Sequence, residues 1–407
     1  MTTFSSIIGY PAIKRQLSLL CEQIKNPESC QKFGVLPPAA ILLHGKHGVG
    51  KTLMARAIAE ESGADLLRCD EKNADTFIKK LSELRDAAQD STPSLLILED
   101  IDTRSEREQL AIAEFLDSAA EHSPILLLTA CELNSILEKL SVRITRKIEI
   151  SVPTLPNTED FVKHFMSVHP FENGASSERL ARMLFGCSYS EAESIINEAC
   201  LYALAEGKNA VSESHVAKAV ANSHLDMPEN DIGENEFWRI GTAYHEAGHA
   251  VCHECLHPTS VNFVVIRNGC GQTAYTTAHI QVPPKEWREG KIISYLAGRA
   301  AEEIQFHCFN SGTAQDMHHA FKDLRYEIVD CCTKGFDKGY AEGNDTESEA
   351  MRVRRETAVS EEAERLYQCA KDILTENWAF VEKVAQALLE KNILTGEEVR
   401  AIGASCR

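Results

Sequence analysis

The first 150 residues alternate short apolar segments with longer segments whose apolar residues recur at helical spacing. Ile41–Leu43, Leu95–Leu98 and Ile125–Leu128 are short apolar runs bounded by turn or polar residues. Thr52–Glu61 and Thr76–Ala88 have helical patterns and lie between these runs. Strands that alternate with helices in this way are typical of a parallel, doubly wound sheet. We therefore predict an α/β fold for this part of the chain.

The pattern changes after Pro153 and Pro156, where short helical segments replace the alternation. From Glu236 onward the helical period dominates, except at Val261–Arg267 and Gln272–His279, which are predicted to pair as strands. Longer helices are predicted over Trp287–Gln305, Ala314–Thr333 and Ala350–Leu389, with a loop at Gly339–Glu347. The predicted domains are an α/β domain at 1–152, a helical lid at 153–225, a polar linker at 226–235 and a mainly α-helical domain at 236–407.

Composition narrows the possible partners. The 407 residues carry a formal net charge of -19, which disfavours nucleic acid and anionic lipid as main partners. The start of the chain lacks a secretory signal, and no apolar run approaches the roughly 18 residues of a membrane span. The 14 cysteines are scattered, and we interpret them as reduced thiols. The composition therefore predicts a cytoplasmic protein with no direct membrane span.

A phosphate-binding loop follows the first predicted strand. The segment reads Gly45-Lys46-His47-Gly48-Val49-Gly50-Lys51-Thr52 and fits the pattern G-x-x-x-x-G-K-[ST]. Its glycines let backbone N–H groups close around phosphates at a helix N-terminus that already favours anions. Lys51 is expected to reach the outer phosphates of ATP, and Thr52 to hold Mg²⁺.

Two further groups of residues are candidates for the same ATP site. Leu95–Leu98 is followed by Glu99, Asp100 and Asp102, where a Mg²⁺ partner and a water-polarising carboxylate are expected. Arg143 and Arg146 follow the third apolar run. They are suited to complete the nucleotide site of a neighbouring subunit, although arginines at such positions are more often ordinary surface residues.

A metal-binding motif lies in the helical segment Trp238–Cys255. His245-Glu246-Ala247-Gly248-His249 has the form H-E-x-x-H, which places both imidazoles on one helix face. Glu246 then lies next to the first ligand, in position to act as general base on a water activated by Zn²⁺.

The third ligand of this site remains open from spacing alone. His253 continues the four-residue series, but one straight helix cannot surround a tetrahedral ion with three successive turns. Glu302 and Glu303 on a later helix are carboxylate candidates, and so is Asp316 near the start of another helix.

These motifs resemble the FtsH family of AAA+ zinc proteases over nearly the whole chain. The resemblance rests on Phe4–Gly9, the segment from Gly186 to Glu191, Asn197–Ala203, Tyr244–Val251, Ala297–Ile304 and Ser311–Asp316, in the family's order. It implies that Asp316 is the third zinc ligand and Glu246 the base. It also implies a homo-hexameric ring, in which Arg143 and Arg146 are arginine fingers and ATP hydrolysis pulls unfolded protein into a peptidase chamber.

The chain departs from the family pattern mainly in the ATPase part. Glu99 and Asp100 invert the family's Asp-Glu pair, so the water-polarising side chain is one methylene shorter. Cys131 stands where the family has a sensor asparagine, and no clean pore loop is found near Asp70–Phe77. The chain also starts directly at the ATPase, which predicts a soluble relative without the family's membrane segment.

Three functions are therefore compared. The first is an ATP-dependent zinc endopeptidase that unfolds and degrades proteins. The second is a ring-forming zinc peptidase that binds ATP, hydrolyses it weakly and cleaves peptides or unfolded chains. The third is an AAA+ chaperone with a vestigial peptidase domain, which predicts no bound zinc.

Overall fold

The computed structural model describes the chain outside Met1 and residues 36–37, 70, 72, 88–92, 119–122, 225–235, 268–269, 277–282, 337–347 and 407. The described residues form two compact units, one of Met1–His169 with Leu184–Ser194 and one of Pro170–Met183 with Ile195–Arg407. The predicted linker at 226–235 and loop at Gly339–Glu347 lie outside the described residues, as does part of the predicted pore-loop region. The predicted domain boundaries stay predictions.

The first unit is built on a parallel sheet of five strands. Its strands are β1 (Ala40–His44), β2 (Asp65–Arg68), β3 (Ser94–Leu98), β4 (Ile125–Ala130) and β5 (Arg146–Glu149), in the spatial order β2-β3-β4-β1-β5. Its helices are α1 (Pro11–Lys25), α2 (Pro27–Gln31), α3 (Lys51–Ser62), α4 (Ala74–Ala87), α5 (Glu106–Asp117), α6 (Glu138–Ser141) and α7 (Leu155–Val168). The predicted α/β class is confirmed.

Both faces of this sheet are buried, which explains the uninterrupted apolar runs of its central strands. Leu42 and Leu96 pack in one core, whereas Ile41 and Leu43 pack in the core on the opposite face. Successive side chains of a strand point to opposite faces, so a strand that is covered on both sides is apolar throughout. The loops after β1, β3 and β4 therefore meet at one edge of the sheet.

Two strands of this sheet were not predicted. Both β2 and β5 lie at the edges, and each has at most one buried residue. An edge strand packs against only one neighbour, so its sequence contains charged residues and no apolar run. Arg146, predicted as an arginine finger, is the first residue of β5 and is exposed.

The second unit is mainly helical. It contains α8 (Ser177–Met183), most of α9 (Tyr189–Ala205), α10 (Glu213–His224), α11 (Glu236–Leu256), α12 (Lys285–Phe306), α13 (Ala314–Arg325), α14 (Glu349–Glu376), α15 (Trp378–Lys391) and α16 (Gly396–Ala404). An antiparallel sheet has the order β7-β6-β8, with β6 (Val261–Arg267), β7 (Cys270–Tyr275) and β8 (Ile393–Thr395). The predicted strand pair is confirmed within the described residues, but β8 was missed.

Two predicted helices are shorter than expected. The helix predicted over Ala350–Leu389 is divided at Asn377, which lies between the end of α14 and the start of α15. The Asn377 side chain donates a hydrogen bond to the carbonyl of Ile373, so it satisfies a backbone group at the helix end. The helix predicted over Ala314–Thr333 ends at Arg325 and continues as a π-helical turn, Tyr326–Asp330.

The centre of the second unit is α11, which is buried continuously from Ala243 to His253. It packs so closely on α12 that a Cβ atom at Gly248 would lie 2.7 Å from the carbonyl oxygen of Ala297. Only glycine permits this approach, which brings the side chains of the two helices together. Among the described residues, no helix combines the length and the apolar character that crossing a membrane requires.

Candidate metal and nucleotide sites

Two histidines and an aspartate from two helices converge in the second unit. His245 and His249 lie one turn apart in α11, and Asp316 lies in the first turn of α13. The two Nε2 atoms are 3.1 Å apart, and Asp316 Oδ2 lies 3.1 Å from Nε2 of His245 and 3.4 Å from Nε2 of His249. Tetrahedral zinc at its usual ligand distances separates neighbouring ligand atoms by about 3.4 Å. The spacing of these three atoms therefore suits zinc.

The local electrostatics also favour a cation at this position. Burial alone would lower the pKa of His245, but hydrogen bonds to Asp316 and Glu302 raise that pKa to about 10. Burial would raise the pKa of Asp316, but hydrogen bonds to the two histidines hold it below its usual value. Two carboxylates around two imidazoles thus stabilise positive charge, which a divalent metal ion supplies.

Space for such an ion is left by a glycine of α12. A Cβ atom at Gly298 would lie 2.5 Å from Nε2 of His249 and 2.6 Å from Nε2 of His245. These are the nitrogens that face Asp316, so a side chain at position 298 would enter the space between the three candidate ligands. Donor types, spacing, charge and space all fit a zinc ion held by His245, His249 and Asp316.

The other ring nitrogen of each histidine is held by α12. His245 Nδ1 lies 2.8 Å from Glu302 Oε1, and His249 Nδ1 donates to the carbonyl oxygen of Ser294 at 2.6 Å. A hydrogen bond at Nδ1 fixes the ring orientation and leaves Nε2 to act as a metal ligand. The sequence offered Glu302 as a ligand candidate, but its carboxylate instead contacts the far side of the His245 ring.

The remaining candidates for a third ligand face other partners. Glu303 forms an ion pair with Lys371 at 2.7 Å and accepts a hydrogen bond from the hydroxyl group of Tyr367. His253 packs its ring on Tyr275 with ring centroids 3.9 Å apart, and burial lowers the pKa of His253 to about 3. Among the described residues, His245, His249 and Asp316 form the one group with metal-binding spacing.

Glu246 lies beside the candidate ligands and is buried. Its Oε2 atom accepts a hydrogen bond from Thr273 Oγ1 at 2.8 Å, in the edge strand β7. A Cβ atom at Gly271 of the same strand would lie 2.7 Å from Glu246 Oε1. Burial raises the pKa of Glu246, and the hydrogen bond from Thr273 partly opposes that rise. A carboxylate with a raised pKa is a stronger base than an exposed one, so Glu246 is suited to accept a proton.

The predicted phosphate loop connects β1 to α3 in the first unit. Gly45, Gly48 and Gly50 all have positive φ, and a Cβ atom at Gly45 would lie 2.1 Å from the carbonyl oxygen of Ile150. Lys51 is 7% exposed, and its Nζ atom donates to the carbonyl oxygens of Gly45 at 2.7 Å and Lys46 at 3.1 Å. The loop thus has the glycine geometry and the following helix that phosphate binding requires.

The carboxylates after β3 lie at the same sheet edge as the phosphate loop. Glu99 and Asp100 are exposed, and Asp100 is held by a hydrogen bond from its backbone N–H to Thr129 Oγ1. Asp102 accepts hydrogen bonds from the backbone N–H groups of Cys131 and Glu132 and so fixes the loop after β4.

That loop brings an unexpected group to the phosphate-loop lysine. Lys51 Nζ lies 3.3 Å from the sulfur atom of Cys131. The contact results from the adjacency of β1 and β4 in the sheet. A thiol is a weak hydrogen-bond partner, so Cys131 orients a water less well than an amide would.

Two contacts of the phosphate loop involve partners that were not predicted as site residues. Lys46 forms an ion pair with Glu191 at 2.9 Å, and the backbone N–H of Ser190 donates to the carbonyl oxygen of Gly48. The first turn of α9 therefore contacts the phosphate loop. Spacing in the sequence gives no signal for such a contact. Arg143, predicted as an arginine finger, pairs with Asp117 within the same chain.

Comparison with known proteins supports an ATPase domain in the first part of the chain and a peptidase domain in the second. Residues 41–152 match the family described as "ATPase family associated with various cellular activities (AAA)", and residues 235–402 match "Peptidase family M41". The chain is 28% identical to an ATP-dependent zinc metalloprotease FtsH of Caldicellulosiruptor bescii, over 98% of this chain and 72% of the relative. It is 26% identical to FtsH 2 of Salinibacter ruber, over 98% of this chain and 64% of the relative. It is also 26% identical to FtsH of Thermus thermophilus, over 98% and 70% respectively.

Substitution of Gly298 by alanine should weaken metal binding by more than about tenfold, because the new Cβ atom displaces both imidazoles. Zinc affinity is measured by competition with a coloured chelator. Gly241→Ala is the matched control, since it adds the same methyl group to α11 and its nearest neighbour is 3.9 Å away. Equal zinc affinity in Gly298→Ala and the control would contradict the assigned space.

Replacement of Thr273 by valine should move the acid limb of the pH–activity profile to higher pH. The hydrogen bond from Thr273 favours the charged form of Glu246, so its loss raises the pKa of that carboxylate. Activity that needs ionised Glu246 then disappears earlier as the pH falls. Thr273→Ser keeps the hydroxyl group and should retain the wild-type profile. A profile unchanged in Thr273→Val would exclude this control of Glu246.

Proposed function

Because the chain belongs to the FtsH family of AAA+ zinc metalloproteases, we propose that it is an ATP-dependent zinc endopeptidase that unfolds and degrades proteins. The observation that carries this proposal is the convergence of His245, His249 and Asp316, with the Glu246 carboxylate beside them. The phosphate loop and the carboxylates after β3 supply the nucleotide site that the ATP dependence requires.

His245, His249 and Asp316 would hold the zinc ion, and Glu302 and the Ser294 carbonyl would keep the two imidazoles oriented. Zinc bound there supplies a water of lowered pKa and a positive charge that polarises the scissile carbonyl group. Glu246 removes the proton from the attacking water and transfers it to the leaving amine. Thr273 occupies Oε2 of Glu246, so Oε1 is the atom that carries the proton.

The edge strand β7 provides a way to align the substrate. Among the described residues β6 is its one strand neighbour, and its Gly271 lies beside Glu246. An extended peptide that pairs with the backbone of β7 would pass the general base without obstruction by a side chain. Such pairing recognises backbone groups rather than side chains, which suits protein substrates of varied sequence.

The motor half binds ATP with Mg²⁺. Residues 45–52 hold the phosphates, Lys51 contacts the outer ones and Thr52 coordinates Mg²⁺. Glu99 and Asp100 serve as the metal partner and the water-polarising carboxylate. Members of the family act as rings, so we extend the proposal to a homo-hexamer in which Arg143 and Arg146 complete a neighbouring nucleotide site. None of the 14 cysteines forms a disulfide bond in the structure, in accord with the reduced thiols expected in a cytoplasmic protein.

A second function is favoured by a specific observation in the motor. The Lys51 side chain meets the thiol of Cys131, and Asp100 is one methylene shorter than glutamate. A ring with these features would bind ATP and hydrolyse it slowly, while its peptidase cleaves peptides or unfolded chains without strict dependence on hydrolysis. A chaperone with a vestigial peptidase is disfavoured, because His245, His249 and Asp316 lie together at metal-binding spacing.

Replacement of Glu246 by glutamine should lower proteolysis by about 100-fold or more, since loss of a general base typically has effects of this size. Degradation of a fluorescently labelled, unstructured protein measures the effect, with zinc present and with ATP, a non-hydrolysable analogue or no nucleotide. Wild-type cleavage that requires hydrolysable ATP supports the first function, and equal cleavage under all three conditions supports the second. The variant should still bind zinc, so undiminished proteolysis in Glu246→Gln contradicts the proposed mechanism.

Extending Asp100 to glutamate should raise the rate of ATP hydrolysis roughly tenfold, because a displacement near 1 Å of a catalytic group strongly affects rate. Steady-state phosphate release measures the rate. Asp100→Asn keeps the shape of the side chain but removes its charge, so it should hydrolyse ATP more slowly than the wild type. If Asp100→Asn retains the wild-type rate, Asp100 does not polarise the water.

A further inference from the structure

Glu302, which orients His245, depends on a single neighbouring residue for most of its hydrogen bonds. Its side chain is 3% exposed, so its carboxylate needs donors from the protein. The backbone N–H of Asn310 donates to Oε2 at 2.8 Å, and the Asn310 side chain donates through Nδ2 to Oε1 at 3.1 Å. His245 Nδ1 is the other partner, also at Oε1. Two of these three contacts therefore come from Asn310.

The same residue starts the segment that carries Asp316. Asn310 Oδ1 accepts a hydrogen bond from the backbone N–H of Gly312 at 2.6 Å and so caps the 3₁₀ turn Ser311–Thr313. The carbonyl oxygen of Asn310 also accepts a hydrogen bond from Thr313 Oγ1. This turn leads directly into α13, where Asp316 lies in the first turn. Asn310 thus contacts the group that orients one candidate ligand and the turn that precedes another.

We propose that Asn310 is a positioning residue for the metal site, which links the Glu302–His245 pair on α12 and α11 to the start of the Asp316 helix. This inference rests on the proposed zinc function. The Nδ2 atom of Asn310 donates to Glu302 on α12, and its Oδ1 atom accepts from Gly312 in the turn before α13. The amide therefore fixes the position of that turn relative to α12. A side chain that offers only an acceptor would keep the turn and lose the contact to Glu302.

Asn310→Asp separates the two roles, because aspartate has nearly the same shape. It keeps an acceptor for Gly312 but places an oxygen opposite Glu302 Oε1. We expect zinc affinity to fall about tenfold or more, as is typical when the partner of a ligating histidine is disturbed. Affinity is measured on the full chain by chelator competition, and thermal unfolding of the zinc-free protein checks the fold. Asn310→Ser, which is neutral and can cap a turn, should also weaken zinc binding and serves if Asn310→Asp does not fold.

Ser348→Ala is the matched control for the loss of a cap. Ser348 accepts a hydrogen bond from the backbone N–H of Met351 at the start of α14 and is not among the groups that contact Glu302. Its substitution should leave zinc affinity unchanged. In a Glu302→Gln background, Asn310→Asp should have a smaller effect than in the wild type, because residues that act through one another are not additive.

These measurements distinguish failure of the proposed zinc function from failure of the positioning role of Asn310. A wild-type chain that binds no zinc would overturn the proposed function itself. Zinc binding by the wild type with equal affinity in Asn310→Asp and Asn310→Ser would overturn only the positioning role. Fully additive effects of Asn310→Asp and Glu302→Gln would also overturn it, because Asn310 would then not act through Glu302.

Discussion

The candidate metal site depends on the close, antiparallel packing of α11 against α12. His249 contacts Ser294 and His245 contacts Glu302. The two histidines are four residues apart on α11, and their partners are eight residues apart on α12. Gly298 lies midway between these two contacts, and its missing side chain leaves space beside both Nε2 atoms. Gly248 allows the helix backbones to approach. The orientation of the imidazoles is therefore a consequence of helix packing and does not depend on flexible loops.

The motif on α11 was predictable because two candidate ligands and a candidate base on one helix have a fixed spacing. The third candidate ligand was not predictable from spacing, since Glu302, Glu303 and Asp316 all lay at plausible positions. Glu302 and Glu303 are consecutive residues on a helix and point in directions about 100° apart. One contacts His245, and the other pairs with Lys371. Family resemblance indicated Asp316, and the geometry brings its carboxylate to both Nε2 atoms.

The parallel sheet of the first unit was also only partly predictable from the sequence. Its central strands are buried on both faces and were evident as apolar runs, whereas the edge strands β2 and β5 carry too few apolar residues to be recognised. Contacts that join distant segments, such as Lys46 with Glu191 and Thr273 with Glu246, were also beyond prediction. They depend on tertiary packing, and neither residue of such a pair carries a local pattern.

The candidate nucleotide site and the candidate metal site also differ in how strongly a substitution would disturb the surrounding structure. Glu99 and Asp100 are exposed at a strand end, so an exchange of their order alters chemistry without disturbing a core. His245, His249 and Glu246 are buried, and a change in any of them leaves polar partners unsatisfied.

Glu246 illustrates the balance that such a buried site requires. Burial raises the pKa of Glu246, whereas the neighbouring His249 and His245 and the Thr273 hydroxyl lower it, so both the protonated and the charged form have stabilising partners. A carboxylate exposed to water would be a weaker base, and one buried without a donor would stay protonated. The position of β7 against α11 therefore gives the Glu246 carboxylate both a hydrogen-bond donor, at Thr273, and space, at Gly271.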